Sequence, residues 1–171
     1  YGTFDKHLSP HYWENTDEMI QIHQWSPEHE TDKAIEYLEK KRDKSKPFAL
    51  YISWNPPHSI YSEVPEEYLK LYDDVKLKNN VHLGGIHHHT GEEAPMTLTT
   101  KQYFAAISGL DKQFGRIIDY LKENNLYDDT IVILSADHGD MMGSHGLMGK
   151  HVWYEESIRI PFVVHVPGND N

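Results

Sequence analysis

The chain has 171 residues, with 27 Asp and Glu against 16 Lys and Arg, giving a formal net charge of −11 when its 13 histidines are neutral. So acidic a surface repels nucleic-acid phosphates and anionic membranes, which excludes nucleic acid as a general partner. There is no cysteine, so disulfides, thiolate catalysis and Cys-type zinc sites are excluded as well. No apolar run approaches the ~18 residues of a membrane span. The first residue is Tyr1 rather than Met, so an excised or processed piece of a larger protein is expected.

Residues 1–30 are rich in aromatics and histidine without a clear period and read as an irregular N-terminal segment. From Asp32 to Arg42, Ala34, Ile35 and Leu38 fall on one side among charges, the pattern of a short amphipathic helix. Pro47-Phe-Ala-Leu-Tyr-Ile-Ser-Trp54 is a near-continuous apolar strand ending in Asn55-Pro-Pro-His58. Pro65 opens a second short helix, Glu66 to Tyr72. Residues 73–98 form a long polar connection with Gly84-Gly85 and His87-His88-His89, read first as a solvated loop and otherwise as a loop edging the substrate pocket.

Thr99-x-x-Gln102 has the form of a capping box. It precedes the strongest helical pattern, Tyr103, Ile107, Leu110, Phe114, Ile117 and Leu121, expected to run to about Asn124. Two more apolar strands follow, Thr130–Leu134 and Pro161–Val166. Strand 48–54, helix 101–124 and strand 130–135 make a βαβ unit with parallel pairing. Ligands in open α/β sheets bind beyond the carboxyl ends of the strands. The turns at Asn55–His58 and Asp137–His138 are therefore expected to converge.

The chemistry concentrates at Ser135-Ala-Asp-His-Gly-Asp140. Asp137 and His138 are adjacent, so only a turn lets both reach one ion, and their alternative is an N-cap carboxylate beside a hydrogen-bonded imidazole. Carboxylate oxygen suits Ca²⁺ or Mg²⁺, and imidazole also suits Zn²⁺ or Mn²⁺. Lys150 follows a Gly-rich loop and reads either as a solvated cation or as a group stabilising charge on a transferring sulfuryl or phosphoryl group. His58, stiffened by two prolines, reads as a turn histidine or as a proton donor. His145 reads as an orienting residue or a loop cap.

These residues resemble the type I sulfatases of the alkaline phosphatase superfamily. The resemblance is carried by Pro47–His58, Pro65–Leu69, Tyr103–Asp111 with Gly115-Arg116, Asp129–Gly139, Gly143–Lys150, Tyr154-Glu-Glu156 and Arg159-Ile-Pro161, in family order. It implies a partial alkaline phosphatase-like three-layer α/β sandwich with a mostly parallel sheet. Residues 31–171 would be part of the catalytic domain, lacking the nucleophile region and the C-terminal subdomain. It implies that Asp137 and His138 bind a divalent cation, usually Ca²⁺, and that Lys150 and His58 contact the sulfate, with His58 a candidate proton donor. His145 would belong to substrate binding. The family's formylglycine nucleophile arises from a Cys/Ser-x-Pro-x-Arg motif that this chain lacks, since Ser45-Lys-Pro-Phe-Ala49 ends in Ala.

The substrate implied is a sulfated small molecule or sulfated glycan, and the compartment secreted, periplasmic or lysosomal. The 171 residues alone would be inactive and would expose sheet edges. Two other readings are a phosphodiesterase or phosphonate monoester hydrolase of the same superfamily, and a non-catalytic α/β binding domain.

Overall fold

The computed structural model describes residues 6–75, 85–87, 93–94 and 96–168. In chain order, the elements are β1 (His11–Tyr12), β2 (Ile20–Gln21), α1 (Ser26–Glu36), α2 (Glu66–Leu69), β3 (Gly85–His87), β4 (Glu93–Ala94), α3 (Met96–Glu123), β5 (Val132–Ser135), β6 (Leu147–Met148), α4 (Glu155–Ile158) and β7 (Phe162–His165). They divide into two compact units, one from residues 1–74 and 101–123, the other from 75–100 and 124–171.

In the first unit, α1 begins six residues before the expected start, inside the segment read as irregular. Pro27 explains this, because proline is pre-set for the first helical turn, and Glu28 lies there too. The helix runs on into a π-type turn, Tyr37–Lys41, which buries Leu38. Ahead of it, β1 and β2 pair antiparallel, with His11 opposite Gln21. Segment 1–30 thus holds two short strands and the start of a helix.

The core joins Trp25, Val64, Tyr68, Ala105 and Ala106. This rotates α3 from its expected face. The buried stripe is Ala105, Ala106, Gly109, Gln113, Ile117 and Leu121, while Phe104 and Ile107 are exposed. Gly109 shows why, since a Cβ there would lie 2.6 Å from the Trp25 ring. Large aromatics from outside the helix need small residues to dock on, so Ala105, Ala106 and Gly109 take the buried face from Ile107, while Ile117 and Leu121 stay buried as expected. Polar contacts fix the register: Trp25 Nε1–H donates to the Glu63 carbonyl at 3.1 Å, and buried Gln113 donates to Tyr68 Oη at 3.3 Å. The helix also starts at Met96, so Thr99 and Gln102 lie within it rather than capping it.

Among the described residues, 47–54 join no strand ladder, and Tyr51 is 89% exposed. The βαβ pairing expected from the sequence is therefore not formed. In the second unit, β5 pairs instead with β7, antiparallel, matching Val132 to His165 and Ser135 to Phe162. A strand takes whichever partner satisfies its backbone groups, and β7 follows only 26 residues after β5 ends. The ladder leaves Ile133 and Phe162 exposed. A three-stranded sheet, ordered β4-β3-β6, pairs β3 antiparallel to β4 and parallel to β6. The expected loop 73–98 thus contains two short strands and sets the Gly85–His87 backbone beside Leu147–Met148. His88 and His89 lie outside the described residues.

A cavity of about 660 Å³ in the first unit is lined by Glu30, Tyr37, Tyr51 and Asn55, among others. Burial pushes the Glu30 carboxyl up to about 8, and its Oε2 has no hydrogen-bond partner among the described residues. Since the folded value lies above the ordinary 4.5, the neutral form favours folding. That stability is present below pH 4.5 and drains away as pH rises through about 8. In the 171-residue chain, Glu30→Gln is expected to raise stability at pH 8.5 by on the order of 2–4 kcal/mol and to change little at pH 4.5. Urea midpoints of both chains at the two pH values check this.

Candidate active site

The turn after β5 carries the two expected cation ligands. Asp137 Oδ1 accepts the His138 backbone N–H at 3.0 Å, which swings the carboxylate back over the turn. Asp137 Oδ2 then lies 3.4 Å from His138 Nε2. His138 Nδ1 sits 2.7 Å from the Gly139 carbonyl. A carbonyl can only accept, so Nδ1 carries a proton, and in the neutral ring the lone pair is then on Nε2, the tautomer in which Nε2 can bind a metal. The adjacent residues thus present one oxygen and one nitrogen to a common point. The Asp137 side chain is 87% exposed and so open to an incoming ion.

This donor pair fits a divalent cation but supplies only part of its coordination. Among the described residues no group of three or more His, Cys, Asp or Glu could hold a metal. The turn is seated by Gly139, whose N–H donates to the Ser157 carbonyl at 2.8 Å.

Loop 140–149 brings the chain back to this turn. Met141 N–H donates to the Gly149 carbonyl at 2.7 Å, and Gly143 N–H to that of Leu147 at 2.7 Å. Met141 and Met148 are buried beneath. Lys150 is therefore one residue beyond a closure whose other side is two to three residues past His138. The ten positions between Gly139 and Lys150 are spanned by backbone bonds rather than by open loop.

His145 lies parallel to the Tyr154 ring, with centroids 3.9 Å apart, and its Nε2 is 3.8 Å from Glu156 Oε1. It anchors the loop to the residues around α4.

His58 belongs to the first unit. Its N–H closes a turn onto the Asn55 carbonyl at 3.1 Å, and Nδ1–H donates to the Ser59 carbonyl at 2.7 Å. The His58 carbonyl accepts from His7 Nε2 at 3.3 Å. His7 is 1% exposed, and burial lowers its pKa. The sequence reading missed His7 as a support for this turn. Nothing local could reveal it, because the contact spans 51 residues.

The family model described as Sulfatase matches residues 3–171. Among curated proteins, an endo-4-O-sulfatase of Bacteroides thetaiotaomicron is 37% identical over 175 residues, covering 98% of this chain and 34% of that protein. An ulvan-active sulfatase of Formosa agariphila is 29% identical, covering 97% and 32%. The solved structure of the sulfatase yidJ from Bacteroides fragilis superposes with a TM-score of 0.84 at 41% identity, over 98% of this chain and 37% of that one. The chain spans about a third of the length of the curated relatives it matches.

Proposed function

The chain belongs to the sulfatase family and carries part of its alkaline phosphatase-like α/β fold, and we propose that the full-length protein hydrolyses sulfate esters. The observation that carries this reading is the oxygen–nitrogen pair of Asp137 and His138, 3.4 Å apart, with its tautomer set by Gly139. Asp137 and His138 would hold a divalent cation, Ca²⁺ by preference. Bound there, the cation would neutralise charge on the sulfuryl oxygens. Further ligands and a formylglycine nucleophile come from outside this chain.

Within the chain, Lys150 binds the sulfate and stabilises charge on the bridging ester oxygen, a role that depends on fixed position. His58 also contacts the sulfate and gives a proton from Nε2 to the leaving alkoxide. Its Nδ1–H donates to the Ser59 carbonyl at 2.7 Å, so the proton it gives is the second one, carried on Nε2 in the imidazolium form. His145 edges the substrate side of the loop. The two curated relatives act, by their descriptions, as an endo-4-O-sulfatase and on ulvan, which favours a sulfated glycan over a small aryl or choline ester. With no nucleophile of its own, the 171-residue chain is inactive alone.

The test is release of inorganic sulfate from a 4-O-sulfated oligosaccharide by the full-length protein. Release is expected with Ca²⁺, is lost on chelation and returns when Ca²⁺ is restored. Release unaffected by exhaustive chelation would contradict the cation assignment.

A further inference from the structure

The backbone between Gly139 and Lys150 follows a costly path. Met142 and His145 lie at φ +43° and +56°, and His151, just beyond, at +72°. In this left-handed region a Cβ crowds the following carbonyl. Such conformations persist only where the surroundings over-determine them.

One side chain supplies much of that determination. Asp140 Oδ1 accepts the Met142 N–H at 2.9 Å and the Gly149 N–H at 3.2 Å. An ionised carboxylate only accepts, and one oxygen has lone pairs for two donors. Bonds to a charged acceptor are also stronger than neutral ones. An Asp that merely shaped its own turn would need the Met142 N–H alone. The second donor comes from nine residues further on, immediately before Lys150. Asp140 thus ties the start and the end of the loop to one atom, two residues after His138.

We propose that Asp140 is the positioning residue of this site, closing the base of loop 141–149 and so setting Lys150 against the Asp137–His138 pair. The role of Lys150 rests on the sulfatase reading, but the closure does not. Asp140 acts through the loop and contributes a hydrogen-bond acceptor rather than a charge at the cation.

The test compares full-length wild-type protein with Asp140→Ala and Asp140→Asn. Three quantities are measured: kcat/KM on an aryl sulfate with Ca²⁺, Ca²⁺ affinity by calorimetry, and amide hydrogen exchange at Met142 and Gly149 in the metal-free protein. Asp140→Ala is expected to lower kcat/KM roughly 10–100-fold, as misplacement of a catalytic group does. Its Ca²⁺ affinity should change less than about threefold, with faster exchange at both amides. Asp140→Asn keeps an Oδ1 acceptor and should recover to within about fivefold of wild type, with the amides protected again.

Wild-type kcat/KM and protection in Asp140→Ala would overturn the proposal. So would an Asp140→Asn variant as inactive as Asp140→Ala with Ca²⁺ affinity lost in parallel, which would make Asp140 a charge at the cation. Failure of the sulfatase reading has a separate signature. Wild-type protein would then leave sulfate esters intact, while the Met142 and Gly149 amides stayed protected in wild type and exposed in Asp140→Ala, which supports the closure.

Discussion

Alanine at position 139 is expected to cost the protein about 2–4 kcal/mol of stability and to abolish its cation binding in the same step. A Cβ built on Gly139 would stand 2.1 Å from the Glu156 carbonyl oxygen and 3.1 Å from its carbon. Both are backbone atoms, so no side chain can swing aside to make room. Either the turn or the segment carrying α4 must move, and the Gly139 N–H bond to Ser157 is lost. The Gly139 carbonyl also holds His138 Nδ1, so displacing it releases the imidazole from the tautomer and direction that a cation needs. Thermal unfolding and Ca²⁺ calorimetry on the full-length Gly139→Ala variant check both effects. Wild-type values in both would contradict the account of the turn.

The second large effect is expected at Lys150. In the full-length protein, Lys150→Ala should lower kcat/KM for a sulfate ester roughly 10²–10³-fold, the usual loss when a positioned electrostatic group is removed. Stability should change by less than about 0.5 kcal/mol, because the side chain is only half-buried. Lys150→Arg should recover only part of the rate, since a planar fork does not replace a compact ammonium. Asp137→Asn should reduce both rate and Ca²⁺ affinity, which separates a cation ligand from a sulfate contact. If Asp137 and Lys150 could both be removed without loss of hydrolysis, the chain would be a binding domain rather than part of a catalytic one.

Chemistry fixed by neighbouring residues was legible in the sequence, and pairing between distant ones was not. Strand Val132–Ser135, the Asp137-His138-Gly139 turn and strand Phe162–His165 lie where the apolar runs and the polar break put them. Extended segment 47–54 is apolar enough for a strand, but pattern carries no information about which partner it meets, and β5 takes β7 instead. Helix α3 was evident from its period, yet its buried face is set by Trp25 and Tyr68, residues outside it. The adjacent Asp137 and His138 called for a turn, but the reason for glycine at 139, the close approach of the Glu156 backbone, lies 17 residues away in the chain. Asp140 was visible as part of the polar turn, but its role was not, because that role depends on a donor nine residues away.

The most direct test of the sulfate-ester assignment is a parallel assay of the full-length protein, with Ca²⁺, on an aryl sulfate and an aryl phosphodiester of the same leaving group. The account predicts a kcat/KM for the sulfate that exceeds that for the phosphodiester, and a loss of that activity in Lys150→Ala. A phosphodiesterase activity that dominates and survives Lys150→Ala would contradict it.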